Sequence, residues 1–124
     1  MNIILDTENT LSIYEQIVKS IKNSIIKKEI TPGDMLPSIR SLARDLQISV
    51  ITTKRAYEEL EKEGLVYSVQ GKGFYIKEPN LEKLREEQLK DFEGNAENLI
   101  TEGIKLGLTL EDMQDILKTL YEGR

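Results

Sequence analysis

"MLPSIRSLARDLQISVITTKRAYEEL", residues 35–60, holds two short helical patterns with almost nothing between them. In the first, Ser38 follows Pro37 and offers a hydroxyl to the free amides of a helix start, and Ile39, Leu42, Ala43 and Leu46 recur at spacings of 3, 4 and 7. Only Gln47 and Ile48 precede Ser49, a second capping residue, whose helix should run to about Glu63 and end at Gly64. Two short helices joined this closely form a helix-turn-helix. At about 100° per residue, Thr53, Ala56, Tyr57 and Leu60 share one side of the second helix, the core side, while Ile51, Arg55, Glu58 and Lys62 fall opposite. Its first turns therefore gather Ser49, Thr52, Lys54 and Arg55, with Val50 and Ile51 turned outward among them.

Working outward, Ser12 and Glu15 have the capping-box spacing, and a helix from there buries Tyr14, Ile17, Val18, Ile21 and Ile25. It should stop near Lys28 or Glu29, before the Pro32-Gly33 turn. After Gly64, "LVYSVQGKGFYI", residues 65–76, reads as strands Val66 to Val69 and Phe74 to Ile76 joined by Gln70, Gly71, Lys72 and Gly73. Three helices and then a hairpin make a winged helix. Either Ile3 to Leu5 or Met35 and Leu36 would supply a third strand to the wing sheet. The hydroxyls and bases at the start of the third helix suit phosphates and base edges in a major groove, and an exposed aliphatic there suits a thymine methyl. Lys72, flanked by glycines at the hairpin tip, suits a phosphate or a minor groove.

Beyond residue 77 the pattern changes. Asn80 caps a long helix with apolar positions at Leu81, Leu84, Phe92, Ala96, Leu99, Ile100 and Ile104. Gly107 breaks it, and Thr109 and Asp112 open another helix with Leu110, Met113, Ile116, Leu117, Leu120 and Tyr121 on one side. The fold class is thus mainly α with a small β wing: a winged helix-turn-helix domain over residues 1–77 and an antiparallel two-helix dimerisation tail over 78–124. One helical hairpin has more apolar stripe than its own interior hides, so a second copy is the expected partner. Dimerisation falls to Leu84, Phe92, Leu99, Ile100, Ile104, Met113, Ile116, Leu117, Leu120 and Tyr121.

Charge and composition narrow the chemistry. The net charge of −5 is concentrated in the tail: residues 1–77 carry 11 Lys and Arg against 10 Asp and Glu, and residues 78–124 carry 6 against 12. The near-neutral first part stays eligible for a polyanion, because a binding face is set by its local field. There is no Cys and no His, which removes disulfides, thiolate chemistry, and the commonest metal ligand and general base. No Gly-rich phosphate loop or nucleophile elbow is present, so no enzyme, cofactor or metal is expected. No apolar run approaches a membrane span and the N-terminus lacks an export pattern, so the expected location is cytoplasmic.

Residues 13–76 resemble the DNA-binding domain of GntR-family transcription regulators. The resemblance is carried by "PGDMLPSIRSLA" (32–43), "TTKRAYEELEKEGL" (52–65) and "GKGFYI" (71–76) in that order. The short tail is similar to that of the family's YtrA-like branch. The resemblance implies double-stranded DNA with a palindromic operator as partner, and a homodimeric repressor, with control of a transporter operon. It places Ser38, Arg40, Ser49, Val50, Ile51, Thr52, Lys54, Arg55, Gln70, Gly71, Lys72 and Gly73 at DNA-contacting positions. Where that branch opens its recognition helix with Asn-Pro-Asn-Thr, this chain has Ser49-Val50-Ile51-Thr52, which reduces the polar base-reading groups. A winged helix used as a protein-interaction module is the alternative. Forty-seven residues in two helices enclose no drug-sized pocket within one protomer, and the sequence names no effector.

Overall fold

Helix starts in this chain are set by side chains that take up otherwise unpartnered backbone amides. In the computed structural model, which describes all 124 residues, Glu15 Oε1 accepts from the Ser12 backbone N–H at 3.4 Å and from its hydroxyl at 2.7 Å. Ser38 Oγ accepts from the Ser41 amide at 3.1 Å, and Ser49 Oγ from the Thr52 amide at 3.0 Å. These residues open α1 (Ile13–Ile26), α2 (Ile39–Leu46) and α3 (Val50–Lys62). The turn between α2 and α3 is made by Gln47 in the left-handed region at φ 56°, and the Ile48 amide donates back to the Ala43 carbonyl at 3.0 Å.

Strands β1 (Val66–Val69) and β2 (Gly73–Ile76) are antiparallel, with Val66 opposite Ile76 and Val69 opposite Gly73. Gly73 is therefore a strand residue, and the wing tip is the three-residue turn Gln70 to Lys72, closed by the Lys72 amide on the Val69 carbonyl at 3.0 Å. Gly71 takes φ +79° there, which favours a residue without Cβ. Of the two segments eligible to extend the sheet, Met35 does so by bridging to Tyr75, while Leu36 N–H donates to Phe74 O and Ile76 N–H to Asp34 O, both at 2.8 Å. Ile3 and Leu5 instead pack partly buried on the core, and the Gln16 side-chain amide tethers their segment by donating to Asp6 O and accepting from Asp6 N–H, both at 2.8 Å.

The core joins Ile17, Val18, Ile21 and Ile25 of α1 to Leu42 of α2, Ala56, Tyr57 and Leu60 of α3, and Leu36, Leu65, Val66 and Ile76 around the wing. Tyr14, expected within the buried stripe, is only half-buried, because it lies in the first turn of α1 at the rim of this core. The chain forms two compact units, Met1–Leu84 and Arg85–Arg124. The division falls inside α4 (Leu81–Lys105) and not at residue 77, since Leu81 and Leu84 pack with the core of the first unit. Leu84 is 4% exposed there, so it is a core residue and its assignment to a dimer face is corrected.

In the second unit, α4 ends before Gly107 at φ +79°, and Thr109 opens α5 (Leu110–Glu122) through a capping box. Thr109 Oγ1 accepts from the Asp112 amide at 3.1 Å, and Asp112 Oδ2 from the Thr109 amide at 2.9 Å. The Thr109 backbone amide first, and its side chain second, hold the Asp112 carboxyl below its ordinary pKa by hydrogen bonding to it. Gly103 of α4 is buried against Met113 of α5, so closely that a Cβ built on it would lie 2.8 Å from the methionine sulfur. Met113, itself half-buried, thus packs against α4 within the hairpin. Phe92, Leu99, Ile100, Ile104, Ile116, Leu117, Leu120 and Tyr121 remain exposed, and α5 buries no residue within the chain. No helix is long and apolar enough to cross a membrane.

Candidate nucleic-acid interface

The sequence divides α3 into an inward and an outward face, and both are found. Thr53, Ala56, Tyr57 and Leu60 are buried; Val50 is 46% and Ile51 80% exposed, and Lys54 and Arg55 are open to solvent. Two large aliphatic side chains are thus presented outward beside two cations. The hydroxyls have local duties as well. Ser49 Oγ, besides capping, donates to Thr52 Oγ1 at 2.8 Å, which leaves Thr52 its own proton to donate outward. Thr53 Oγ1 donates to the Ser49 carbonyl from the buried side.

Neither Lys54 nor Arg55 forms an ion pair with the carboxylates three and four residues on. The two ion pairs in the chain are Lys22–Glu63 at 2.7 Å and Arg44–Asp45 at 4.0 Å, the latter long, exposed and of little energetic weight. Arg55 lies instead over the ring of Tyr14, with its guanidinium carbon 3.8 Å from the centroid. Such a cation–π contact contributes about 0.5–1 kcal/mol at an exposed site. The later carboxylates of α3 hold the unit together: Glu63 fastens α3 to α1, and Glu61 Oε2 accepts from the Ser68 backbone N–H at 3.1 Å and from its hydroxyl at 2.7 Å, fastening α3 to β1.

Tyr57 locks the three parts of this face together. Its hydroxyl donates to the Pro37 carbonyl at 2.7 Å, just ahead of α2, and its ring meets Phe74 of β2 edge-to-face at 5.2 Å. Burial pushes its phenol well above the ordinary pKa, so the hydroxyl stays a donor. Arg40 is exposed near the start of α2, where Ser38 is engaged in capping. At the wing tip Gln70, Gly71 and Lys72 are exposed, whereas Gly73 is half-buried beside Met35. Tyr67 and Tyr75 stack on the wing at 5.6 Å. The contacts made by Tyr14, Glu61, Gln16 and Gly103 are not legible in the sequence, because each joins an element distant in the chain and no local spacing marks the pair.

Comparison with known proteins gives this surface its context. Residues 13–76 match the model of the bacterial regulatory proteins of the gntR family. The chain is 33% identical to the HTH-type transcriptional repressor YtrA of Bacillus subtilis (strain 168), over 94% of this chain and 89% of that protein. A GntR family transcriptional regulator from Listeria monocytogenes superposes with a TM-score of 0.68 at 35% identity, covering 93% of this chain and 98% of the other. The structure of AraR(DBD) in complex with an operator superposes with a TM-score of 0.52 at 30% identity, covering 61% and 93%. These relatives are regulators and not enzymes. The chain belongs to the GntR family, and it is a transcription regulator with a DNA-binding winged helix.

Proposed function

We propose that the protein is a homodimeric repressor that binds a palindromic operator, with α3 in the major groove and the wing tip at the minor groove. The observation that carries this reading is the outward face of α3, where Ile51, Lys54 and Arg55 are exposed and neither cation is paired with a carboxylate. A solvated face with no partner would gain from pairing Lys54 with Glu58 and Arg55 with Glu59 at the four-residue spacing.

In the proposed complex Arg55 reads a guanine edge and Lys54 a phosphate. Val50 and Ile51 meet thymine methyls, and Ser49 and Thr52 support the helix start while Thr52 donates outward. Arg40 and Ser38 contact the backbone at the start of α2, as the helix N-terminus favours. Gln70, Gly71 and Lys72 follow the backbone beside the wing, and Gly73 keeps the strand close to it. The exposed apolar faces of the tail, above all Leu99, Ile100, Ile104, Ile116, Leu117 and Leu120, pair two chains. Repression is supported by the similarity to YtrA, a transcriptional repressor. Control of a transporter operon belongs to the same proposal and is carried by the resemblance of the two-helix tail.

Selection of duplexes from a random pool by the purified chain, under non-specific competitor, tests the reading. A recovered inverted repeat is expected. Recovery of no competitor-resistant duplex would favour a protein-interaction module, with Ile51 as part of its contact surface.

A further inference from the structure

Arg55 gains no orientation from its own helix, since no carboxylate of α3 pairs with it and its side chain is exposed. The partner it has comes from another element: Tyr14, in the first turn of α1 and 41 positions earlier in the chain, lies under the guanidinium at 3.8 Å. Tyr14 is half-buried and packs on the core, so its ring is the better fixed of the two groups. A planar guanidinium hydrogen-bonds in its plane and stacks through its faces. A ring against one face therefore leaves the in-plane N–H fork open, the edge that bidentate reading of guanine O6 and N7 requires.

We propose that Tyr14 is a positioning residue for DNA recognition, holding Arg55 in the pose in which its fork faces the bases. The proposal rests on the DNA-reading role given to α3 above and adds to it a specificity determinant outside the helix-turn-helix. Without the ring, Arg55 must lose more rotamer freedom on binding, a cost that falls on the specific complex and not on non-specific phosphate attraction. The ring face carries the effect and the hydroxyl does not.

The test uses the full chain and the duplex it selects, with wild type, Tyr14→Phe, Tyr14→Leu, Arg55→Ala and the Tyr14→Leu/Arg55→Ala pair. Affinity for the selected duplex and for a scrambled one is measured, together with the NMR shift of the Arg55 side-chain protons. Expected is a loss of about 3- to 5-fold in specific affinity for Tyr14→Leu, the size of an exposed cation–π contact, with scrambled-duplex affinity unchanged. Tyr14→Phe keeps wild-type affinity, and Tyr14→Leu adds no loss once Arg55 is alanine. The Arg55 protons, shifted upfield by the ring in wild type and Tyr14→Phe, return toward ordinary values in Tyr14→Leu. An equal loss in the Arg55→Ala background, or a Tyr14→Phe as weak as Tyr14→Leu, overturns the positioning role while leaving the DNA-binding reading intact. A wild type that selects no duplex overturns both.

Discussion

At the residue scale, Arg55 and Tyr57 stand two positions apart on α3 and face opposite ways, and they should fail in opposite ways. Replacing Arg55 by alanine removes an exposed group whose one folded-state contact is the Tyr14 ring, so stability should fall by no more than about 0.5–1 kcal/mol while operator affinity falls by about 1–3 kcal/mol. Replacing Tyr57 by alanine empties a fully buried site and strands the Pro37 carbonyl, a loss of about 3–5 kcal/mol of stability by analogy with other aromatic truncations. Paired denaturation and binding curves check both; an Arg55 variant as destabilised as the Tyr57 variant would mean that the helix faces are misassigned. Tyr57 also carries a pH signature. Its phenol pKa is raised in the folded state, so it favours folding below the ordinary value of about 10 and that contribution is lost as pH climbs above it. In Tyr57→Phe this part of the alkaline loss should vanish.

At the element scale, the two glycines that shape the wing and the tail hairpin do different work. Gly71 turns the wing tip with a positive φ, whereas Gly103 sits in regular helix and clears space for Met113. Gly103→Leu should open the tail hairpin and lower the thermal stability of the chain. Gly103→Ala should be tolerated, because the flexible end of Met113 can swing aside and alanine improves helix propensity by about 1 kcal/mol. Calorimetry of the two variants separates close packing from propensity.

These elements also show what the sequence made legible. The caps at Ser38, Ser49 and Thr109 and the inward stripe of α3 were readable because capping and periodicity are local and depend only on residues a few positions apart. The Gly103–Met113 approach, the Glu61–Ser68 tie and the Tyr14–Arg55 contact join separate elements, and their geometry comes from packing. Leu84 was misread for the same reason: its spacing fits the tail helix, yet the first turn of α4 is covered by the winged helix core.

At the scale of the whole molecule, the winged helix carries little net positive charge, so few phosphates are neutralised per chain and the salt dependence of binding should be shallower than for strongly basic regulators. In the proposed dimer, affinity then rests on two reading heads acting together. Leu117→Glu, on the exposed face of α5, should yield monomers whose winged helix still folds, and should weaken operator binding far more than any single wing substitution. Sedimentation with and without DNA distinguishes this from unfolding.

Whether two chains read one palindrome through α3 is decided by measuring the mass of the complex on the selected duplex while footprinting the bound DNA. Two chains per duplex are expected, protecting two half-sites whose centres lie about 34 Å, or about 10 base pairs, apart. A single chain on one half-site, or a dimer that protects no DNA, would contradict that reading.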